Sequence, residues 1–384
     1  MSKKAKNEKN YHNEVARVSA GVVKFFEKTF SEVRFDGPDM DPLEVQKSPI
    51  MFVGTHRSHA DYFLIGSKFC LMGFRNIRFA AGDNLTKLPW IGPKFLTFGA
   101  FAVSRDSGFE RHYVRNLCAK VIEMLNDGDS VLVFPEGGRS YSGGMLEIRG
   151  GILNAALMLQ AANPERDVFL LPTAVSYERP PDVPWFSLLL KGKKLRKGKS
   201  NFIKKILGNL YYFGADLAAF APFMLARFFG RKYGAAYMDY GKPVSVRSLV
   251  DLEANRIQGA RDEFAAHRAS LDIAGAEIRK LLVSLYRILP VHIVSALLLR
   301  SGDGTVSMID LVRGAGELKS SLVKDGRNCK TLDELTPATI VKNGLATLHK
   351  LKAVKVNTKA KTAAVRKSDI VNYFAATIAI NAEN

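Results

Sequence analysis

The sequence is poor in the residues that build disulfide frameworks and metal sites. It has only three cysteines among 384 residues, Cys70, Cys118 and Cys329, and they are widely spaced and outside any CxxC pattern. Neither a disulfide framework nor a zinc site is therefore expected. The N-terminal segment also lacks the apolar stretch of a signal peptide, so the sequence predicts a protein that faces the reducing cytosol.

Several motifs of common enzyme classes are missing as well. The sequence contains no GxSxG, HExxH or GxGxxG pattern, and residues 192–200 miss the spacing of a Walker A loop by one residue. These absences argue against an α/β-hydrolase, a zinc protease and a nucleotide-binding enzyme. Five histidines are isolated and are interpreted as structural or exposed: His12, His112, His267, His292 and His349.

Acidic residues are absent from two strongly basic stretches. Residues 191–205 and residues 342–367 each hold eight basic residues and no acidic one, which accounts for 16 of the 19 excess positive charges. The rest of the chain is nearly neutral, with 40 basic and 37 acidic residues. Such patches predict an anionic partner, which could be nucleic acid, an acidic protein or a negatively charged membrane surface.

The most apolar stretch follows the first basic patch directly. Residues 206–229 are long enough to span a bilayer, but Asp216, Pro222 and Arg227 argue against a straight span. A segment that lies in the membrane interface or re-enters it is favoured over a buried core element. A second amphipathic stretch, residues 11–31, predicts a helix that either packs on the main domain or lies at a membrane surface.

Apolar residues make up 47% of the chain, enough for a large core. Short apolar runs at 50–54, 77–81, 99–104, 130–134 and 169–176 alternate with helical patterns at 59–73, 110–126 and 150–162. This alternation predicts an α/β fold with one central sheet flanked by helices. The expected domains are an N-terminal helical segment 1–45, an α/β domain 46–250 with a membrane-associated insertion 191–230, and a mainly helical region 251–384, in which helices and a short basic strand weakly suggest a winged helix.

The densest polar cluster, residues 55–62 (THRSHADY), follows the first of these predicted strands. Strand ends are where sites gather in α/β folds. His56 and Asp61 can meet only if His56 lies in the turn and Asp61 in the first helical turn, which a capping-box-like pairing of Ser58 and Asp61 would favour. Asp61 could then orient His56 as a general base, or it could merely cap the helix. The sequence does not indicate a partner for His59, which is interpreted as structural or solvent-facing.

Two weaker clusters also follow predicted strands. Residues 134–140 (FPEGGRS) combine paired glycines, which let a backbone approach a ligand, with Arg139, which can hold a phosphate. Residues 99–105 end in Ser104 and Arg105, where an arginine is often only a surface charge.

Taken together in order, these clusters resemble the glycerolipid acyltransferase family, in particular its bacterial membrane-associated branch that acts on glycerol 3-phosphate. Residues 56–62 resemble the first block of the family, with a histidine, four residues and an aspartate. Residues 81–85 with 99–105 resemble the second block, residues 134–140 the third, and residues 171–178 (LPTAVSYE) the fourth. The resemblance implies the family's mixed sheet flanked by helices.

The resemblance also implies roles for individual residues. His56 would be the general base and Asp61 would orient it. Arg105 and Arg139 would bind the phosphate, and Arg149 is a further candidate for it. Glu136 and Gly137 would position the glycerol, and Pro172 would shape the pocket. The remaining predicted substrate-binding residues belong to the same two blocks: Arg57, Gly138 and Ser140.

The implied reaction transfers an acyl group from acyl-CoA or acyl-acyl carrier protein to the sn-1 hydroxyl of glycerol 3-phosphate, without a metal or bound cofactor. The implied partners are the two substrates, an anionic membrane surface and, as a candidate, acyl carrier protein, with no nucleic acid. The implied location is the cytoplasmic face of the bacterial cell membrane, as a peripheral or monotopic protein. Two alternatives stay open: the same chemistry on dihydroxyacetone phosphate or lysophosphatidate and, more distantly, a basic nucleic-acid-binding protein.

Overall fold

The computed structural model describes residues 3–82, 96, 98–103, 111–186, 214, 223, 225, 228, 232–301 and 305–378. In these residues the strands are β1 (Glu32–Asp36), β2 (Ile50–Gly54), β3 (Ile77–Gly82), β4 (Ala100–Val103), β5 (Ser130–Val133), β6 (Phe169–Tyr177), β7 (Ala235–Tyr240), β8 (Val244–Ser245), β9 (Thr305–Ser307), β10 (Val354–Asn357) and β11 (Thr362–Val365).

The α-helices begin with α1 (Lys3–Thr29), α2 (Pro42–Val45), α3 (Asp61–Met72), α4 (Arg111–Asn126), α5 (Asn154–Ala162), α6 (Val246–Leu249) and α7 (Glu263–Ala266). They continue with α8 (Arg268–Leu285), α9 (Pro290–Arg300), α10 (Met308–Lys324), α11 (Pro337–Lys350) and α12 (Ser368–Ala376). A short 3-10 helix spans Val183–Trp185.

Eight of the described strands form one central mixed sheet in the order β1-β7-β6-β2-β5-β3-β4, with β8 paired to β6. β2 runs parallel to both β5 and β6, and β6 runs antiparallel to β7. The central strands β2 and β5 are buried along their whole length, because helices cover both faces of such a sheet and favour continuous apolar sequences. The parallel strands bring the loops that follow β2 and β5 to the same edge.

The predicted α/β fold with a mixed central sheet is confirmed, and the five predicted strands and three predicted helices of the α/β region are present. Strands β1, β7 and β8 of this sheet were not predicted. β1 pairs in parallel with β7 from Glu32↔Ala235 to Asp36↔Asp239, so the sheet includes residues of the segment 1–45. The bounds of the three predicted domains stay predictions.

Helix α1 packs on α3, and two phenylalanines at and just after its C-terminal end are buried. Phe26 and Phe30 are 1% and 0% exposed, and both belong to the core cluster that lies between the sheet and α3. The ring of Phe223 lies 5.7 Å from that of Phe26 and 5.9 Å from that of Phe30. Two alternatives were given for residues 11–31, packing on the main domain or lying at a membrane surface. Packing on the main domain therefore applies to the C-terminal half of this helix.

The C-terminal region is mainly helical, as predicted, with one small sheet. Strands β10, β11 and β9 pair in that order, and the apolar faces of α9, α10 and α11 pack together beside them. The order helix, strand, two helices and hairpin is that expected of a winged-helix-like arrangement. No single helix among the described residues is long and apolar enough to cross a membrane. One pair, α8 and α9, reaches that length and composition only jointly, across a bend of 104°.

Some predictions concern residues that are not described. The basic patch 191–205, almost all of the apolar segment 206–229 and the candidate phosphate ligand Arg105 lie outside the described residues. The membrane-associated insertion therefore stays a prediction.

Candidate active site

The loop that leaves β2 brings His56 and Asp61 into contact. The Nδ1 atom of His56 lies 2.9 Å from the Oδ2 atom of Asp61. Helix α3 begins at Asp61, so His56 lies in the preceding turn and Asp61 in the first helical turn. A separation of five residues would place the two side chains on different faces of a continuous helix. The turn between β2 and α3 is therefore what makes this pair.

The carboxylate of Asp61 is completely buried and accepts hydrogen bonds on both oxygens. Besides His56, its Oδ2 atom accepts the backbone amides of Arg57 at 2.6 Å and Ser58 at 2.8 Å. Its Oδ1 atom accepts the hydroxyl of Tyr177 at 2.7 Å. The predicted capping box is not formed, because the N-cap of α3 is Ala60. The Ser58 amide still donates to Asp61, and the Ser58 hydroxyl accepts from the Ala60 amide. These donors stabilise a buried negative charge.

The imidazole of His56 is held in one orientation and is kept neutral. Its side chain is 14% exposed, and its ring stacks on Phe134 with centroids 4.2 Å apart. Burial lowers the pKa of His56 below its ordinary value of 6.5, although contact with Asp61 opposes that shift. The bond from Nδ1 to Asp61 assigns the ring proton to Nδ1, and Nε2 has no hydrogen bond to a described residue. Nε2 can therefore accept a proton.

The loop that follows β5 is tied to the His56 loop by Glu136. This carboxylate is 1% exposed and forms an ion pair with Arg57, with both oxygens 3.0 Å from Nη1. It also accepts the backbone amides of His56 at 3.1 Å and Leu146 at 2.7 Å. The guanidinium of Arg57 lies 5.3 Å from the ring centroid of Tyr286. Arg57 and Glu136 thus lie beneath the site and hold its two loops together.

Arg139 lies on the wall of the cavity that His56 faces. The cavity is small, about 70 Å³, and His59, Tyr62 and Phe134 also line it. Arg139 is 5% exposed, and its Nη1 atom donates to Asp182 at 2.8 Å. An arginine such as Arg139 beside a neutral base suits a substrate that carries a phosphate near its hydroxyl.

Asp182 was not among the predicted site residues. It is 1% exposed and accepts the amide of His59 at 3.1 Å as well as Arg139. Two further residues that the sequence did not assign to the site contact it: Tyr177 donates to Asp61, and the ring of Tyr286 lies near Arg57. Tyr177 belongs to the fourth block of the family resemblance, whereas Asp182 belongs to none of the four blocks.

The other predicted site residues are placed around this centre. Ser140 donates its amide to the carbonyl of His56 at 3.0 Å. Gly137 has φ +68, and its Cα faces the side chain of Arg149, which is exposed. Gly138 lies between Gly137 and Arg139. Pro172 lies inside β6, paired with Val53, and does not line the small cavity. The roles predicted for these residues stay predictions.

Comparison with known proteins matches most of the chain to two family models. Residues 32–176 match the model described as Acyltransferase, and residues 222–379 match the model described as Glycerol-3-phosphate acyltransferase C-terminal region. Both descriptions are of acyltransferases, and the two matched ranges together cover most of the chain. The predicted family resemblance is thereby confirmed, and the first model covers the strands and loops that carry His56 and Glu136.

Curated relatives agree with this resemblance. The chain is 28% identical over 216 residues to the glycerol-3-phosphate acyltransferase of Shewanella halifaxensis, which is 56% of this chain and 24% of that protein. It is also 28% identical over 209 residues to the enzyme of that name from Haemophilus ducreyi, which is 54% of this chain and 23% of that protein. The matched region thus spans about a quarter of the length of these family members.

Proposed function

We propose that this protein transfers an acyl group from an acyl thioester to the sn-1 hydroxyl of glycerol 3-phosphate, which yields lysophosphatidate. The observation that carries the proposal is the shared cavity of His56 and Arg139, a neutral base and a buried cation. The relatives that bear the name glycerol-3-phosphate acyltransferase support this acceptor.

In the proposed mechanism His56 Nε2 takes the proton of the hydroxyl while Asp61 holds the ring by Nδ1. The resulting oxygen attacks the thioester carbonyl, the carbon–sulfur bond breaks, and the proton on His56 passes to the departing thiolate. A thioester is already activated, so a base and a phosphate clamp that position the acceptor supply the remaining assistance. No covalent acyl-enzyme forms, and the prediction that no cofactor is needed is retained.

The proposal is tested by measuring thioester consumption with three acceptors: glycerol 3-phosphate, dihydroxyacetone phosphate and lysophosphatidate. We expect glycerol 3-phosphate to have the highest kcat/KM and His56→Ala to abolish the reaction while the circular dichroism spectrum stays unchanged. Acyl-CoA and acyl-acyl carrier protein are compared as donors in the same assay. Substantial activity of the folded His56→Ala protein would contradict the mechanism, and a preference for another acceptor would contradict the substrate.

We also propose that the protein binds the cytoplasmic face of the bacterial membrane through residues 191–205 and 206–229. Basic residues beside an apolar segment favour an anionic leaflet, with each contributing about 1 kcal/mol. Co-sedimentation with phosphatidylglycerol vesicles tests this. We expect high salt to release only part of the protein, because apolar insertion is not screened. Complete release would mean that residues 206–229 do not insert.

A further inference from the structure

A second and larger cavity lies between the loop that follows β6 and the C-terminal helices. Its volume is about 510 Å³, and it shares no lining residue with the cavity of His56. Five of the described residues that line it are basic: Arg179, Lys232, Lys350, Lys352 and Lys367. None of the described residues that line it is acidic. A concave site of this size, lined by positive charges only, suits an organic anion.

The lysines of this basic cavity are available to a ligand. Lys232, Lys350, Lys352 and Lys367 are exposed, and none of them forms an ion pair with a carboxylate of the described residues. The neighbouring carboxylate of Glu178 is already used, because it accepts the Thr347 hydroxyl at 2.6 Å and the Ala235 amide at 3.0 Å. Glu178 still acts electrostatically on Arg179, but the charges of the four exposed lysines are not paired with a carboxylate of the described residues.

Two helix ends meet in the cavity. The N-terminus of α12 favours an anion, although its first turn also contains Asp369, whereas the C-terminus of α11 by itself disfavours one. Lys367 is the N-cap of the nine-residue helix α12, with no side-chain capping bond, and Ile370 in its first turn lines the cavity. The free amides of a helix N-terminus attract negative charge. At the C-terminal end of α11, the amides of residues 351–353 satisfy the carbonyls of residues 347–349, so fewer acceptors are left to repel an anion.

The floor of the cavity is apolar and aromatic. Trp185 and Tyr233 line it together with Pro180, Pro181 and Leu351. Inorganic phosphate has no apolar group that could pack on this floor, whereas an organic group attached to a phosphate can pack on it. The cavity thus combines a basic rim with a surface for an apolar or planar group.

We propose that this basic cavity is a second binding site, separate from the His56 cavity, for the phosphate group of an amphiphilic organic molecule. Two sources share this chemistry: the phosphorylated nucleotide of a soluble cofactor-like molecule and the headgroup of an anionic phospholipid. The site also assigns a role to three lysines of the basic stretch 342–367. It does not depend on the acyltransferase reaction.

The test uses Trp185 as the reporter, because the chain has two tryptophans and Trp90→Phe leaves Trp185 alone. The full-length Trp90→Phe protein is titrated with adenosine 3′,5′-bisphosphate, with phosphatidylglycerol vesicles and with phosphatidylcholine vesicles. We expect a saturable change in Trp185 fluorescence with one of the first two probes and none with phosphatidylcholine. A response to the bisphosphate assigns a nucleotide phosphate. A response to phosphatidylglycerol alone assigns a lipid headgroup only if substitution of the cavity lysines weakens it, because residues 191–229 are also proposed to bind these vesicles.

Two triple variants in the same background separate this cavity from general charge. Lys350→Gln/Lys352→Asn/Lys367→Gln should weaken binding about tenfold or more, since three unneutralised charges are lost. The control, Lys342→Gln/Lys361→Asn/Lys359→Gln, removes equal charge outside the cavity and should change binding less than about twofold. Lys352 and Lys361 are matched, because they have φ +56 and +51 and asparagine tolerates that conformation.

Equal weakening in both triple variants, or no response to either anionic probe, would overturn the proposal. Binding is also measured with His56→Ala. We expect unchanged affinity there, so the result stands whether or not the proposed reaction is correct.

Discussion

At the scale of single residues, four hydrogen bonds satisfy both oxygens of the fully buried Asp61 side chain beside His56. Three donors reach Oδ2 and one reaches Oδ1. Three of them belong to the turn between β2 and α3, and one comes from β6. The sequence could predict the first three, because they are local. It could not predict that Tyr177 bonds to Asp61, since that contact joins residues 116 positions apart.

We expect Asp61→Asn to lower kcat by about a thousandfold or more while KM for the acceptor changes little. An amide can hold the wrong tautomer of His56, as is known for orienting aspartates of this kind. Tyr177→Phe is the matched variant, since it removes one donor to Asp61 and keeps the carboxylate. Its loss should be about tenfold or less. Equal losses in both variants would mean that Asp61 acts only by stabilising the fold.

The lowered pKa of His56 predicts an acid limb in the rate profile. Activity should be present above that pKa and should fall as pH decreases through it, with a midpoint below 6.5. Phosphate monoesters ionise near pH 6 as well, so the limb is assigned by an NMR titration of His56. The resonance is identified by its absence in His56→Ala. A His56 midpoint above 6.5 would contradict the dominance of burial over the contact with Asp61.

At the scale of elements, the loop that follows β5 is shaped by its contact with α12. Gly143 has φ +87, and a Cβ at this position would lie 1.7 Å from the carbonyl oxygen of Tyr373. The backbone amide of Gly143 donates a hydrogen bond to the Ser140 hydroxyl. Its carbonyl accepts a hydrogen bond from the Thr377 hydroxyl at 3.4 Å. The pattern of the third block identified this loop, but no local signal indicates which helix packs on it.

We expect Gly143→Ala to destabilise the protein by more than about 2 kcal/mol, because left-handed backbone strain and steric overlap with α12 add together. Gly144→Ala is the control, since a Cβ at that position would lie 3.7 Å from its nearest neighbour, which is ordinary contact. The free energy of unfolding in urea measures both effects. Similar small losses in the two variants would contradict the contact between this loop and α12.

At the scale of the whole molecule, Arg287 connects the N-terminal strand, the sheet and the C-terminal helices. Asp36 of β1 and Asp239 of β7 are directly opposed, and like charges in that position repel. Arg287, just after α8, is 2% exposed and forms ion pairs with both, with Nε 3.0 Å from Asp239 Oδ2. The sequence predicted neither strand β1 nor β7, because their pairing joins residues some two hundred positions apart and is stabilised by this distant arginine.

We expect Arg287→Met to lower the free energy of unfolding by about 3–5 kcal/mol at neutral pH, since it leaves two opposed carboxylates without a cation. Arg300→Met is the control, because Arg300 is exposed at the end of α9. Burial already raises the pKa of Asp239 although Arg287 opposes that shift, so removing Arg287 raises it further. A carboxyl whose folded pKa is raised destabilises the fold above that pKa and ceases to do so as pH falls below it. The deficit of Arg287→Met should therefore shrink between pH 7.5 and pH 5 in urea unfolding. The guanidinium of Arg287 also lies 4.6 Å from the ring centroid of Tyr237. A deficit that is independent of pH would mean that Arg287 stabilises these elements by this packing and not by its ion pairs.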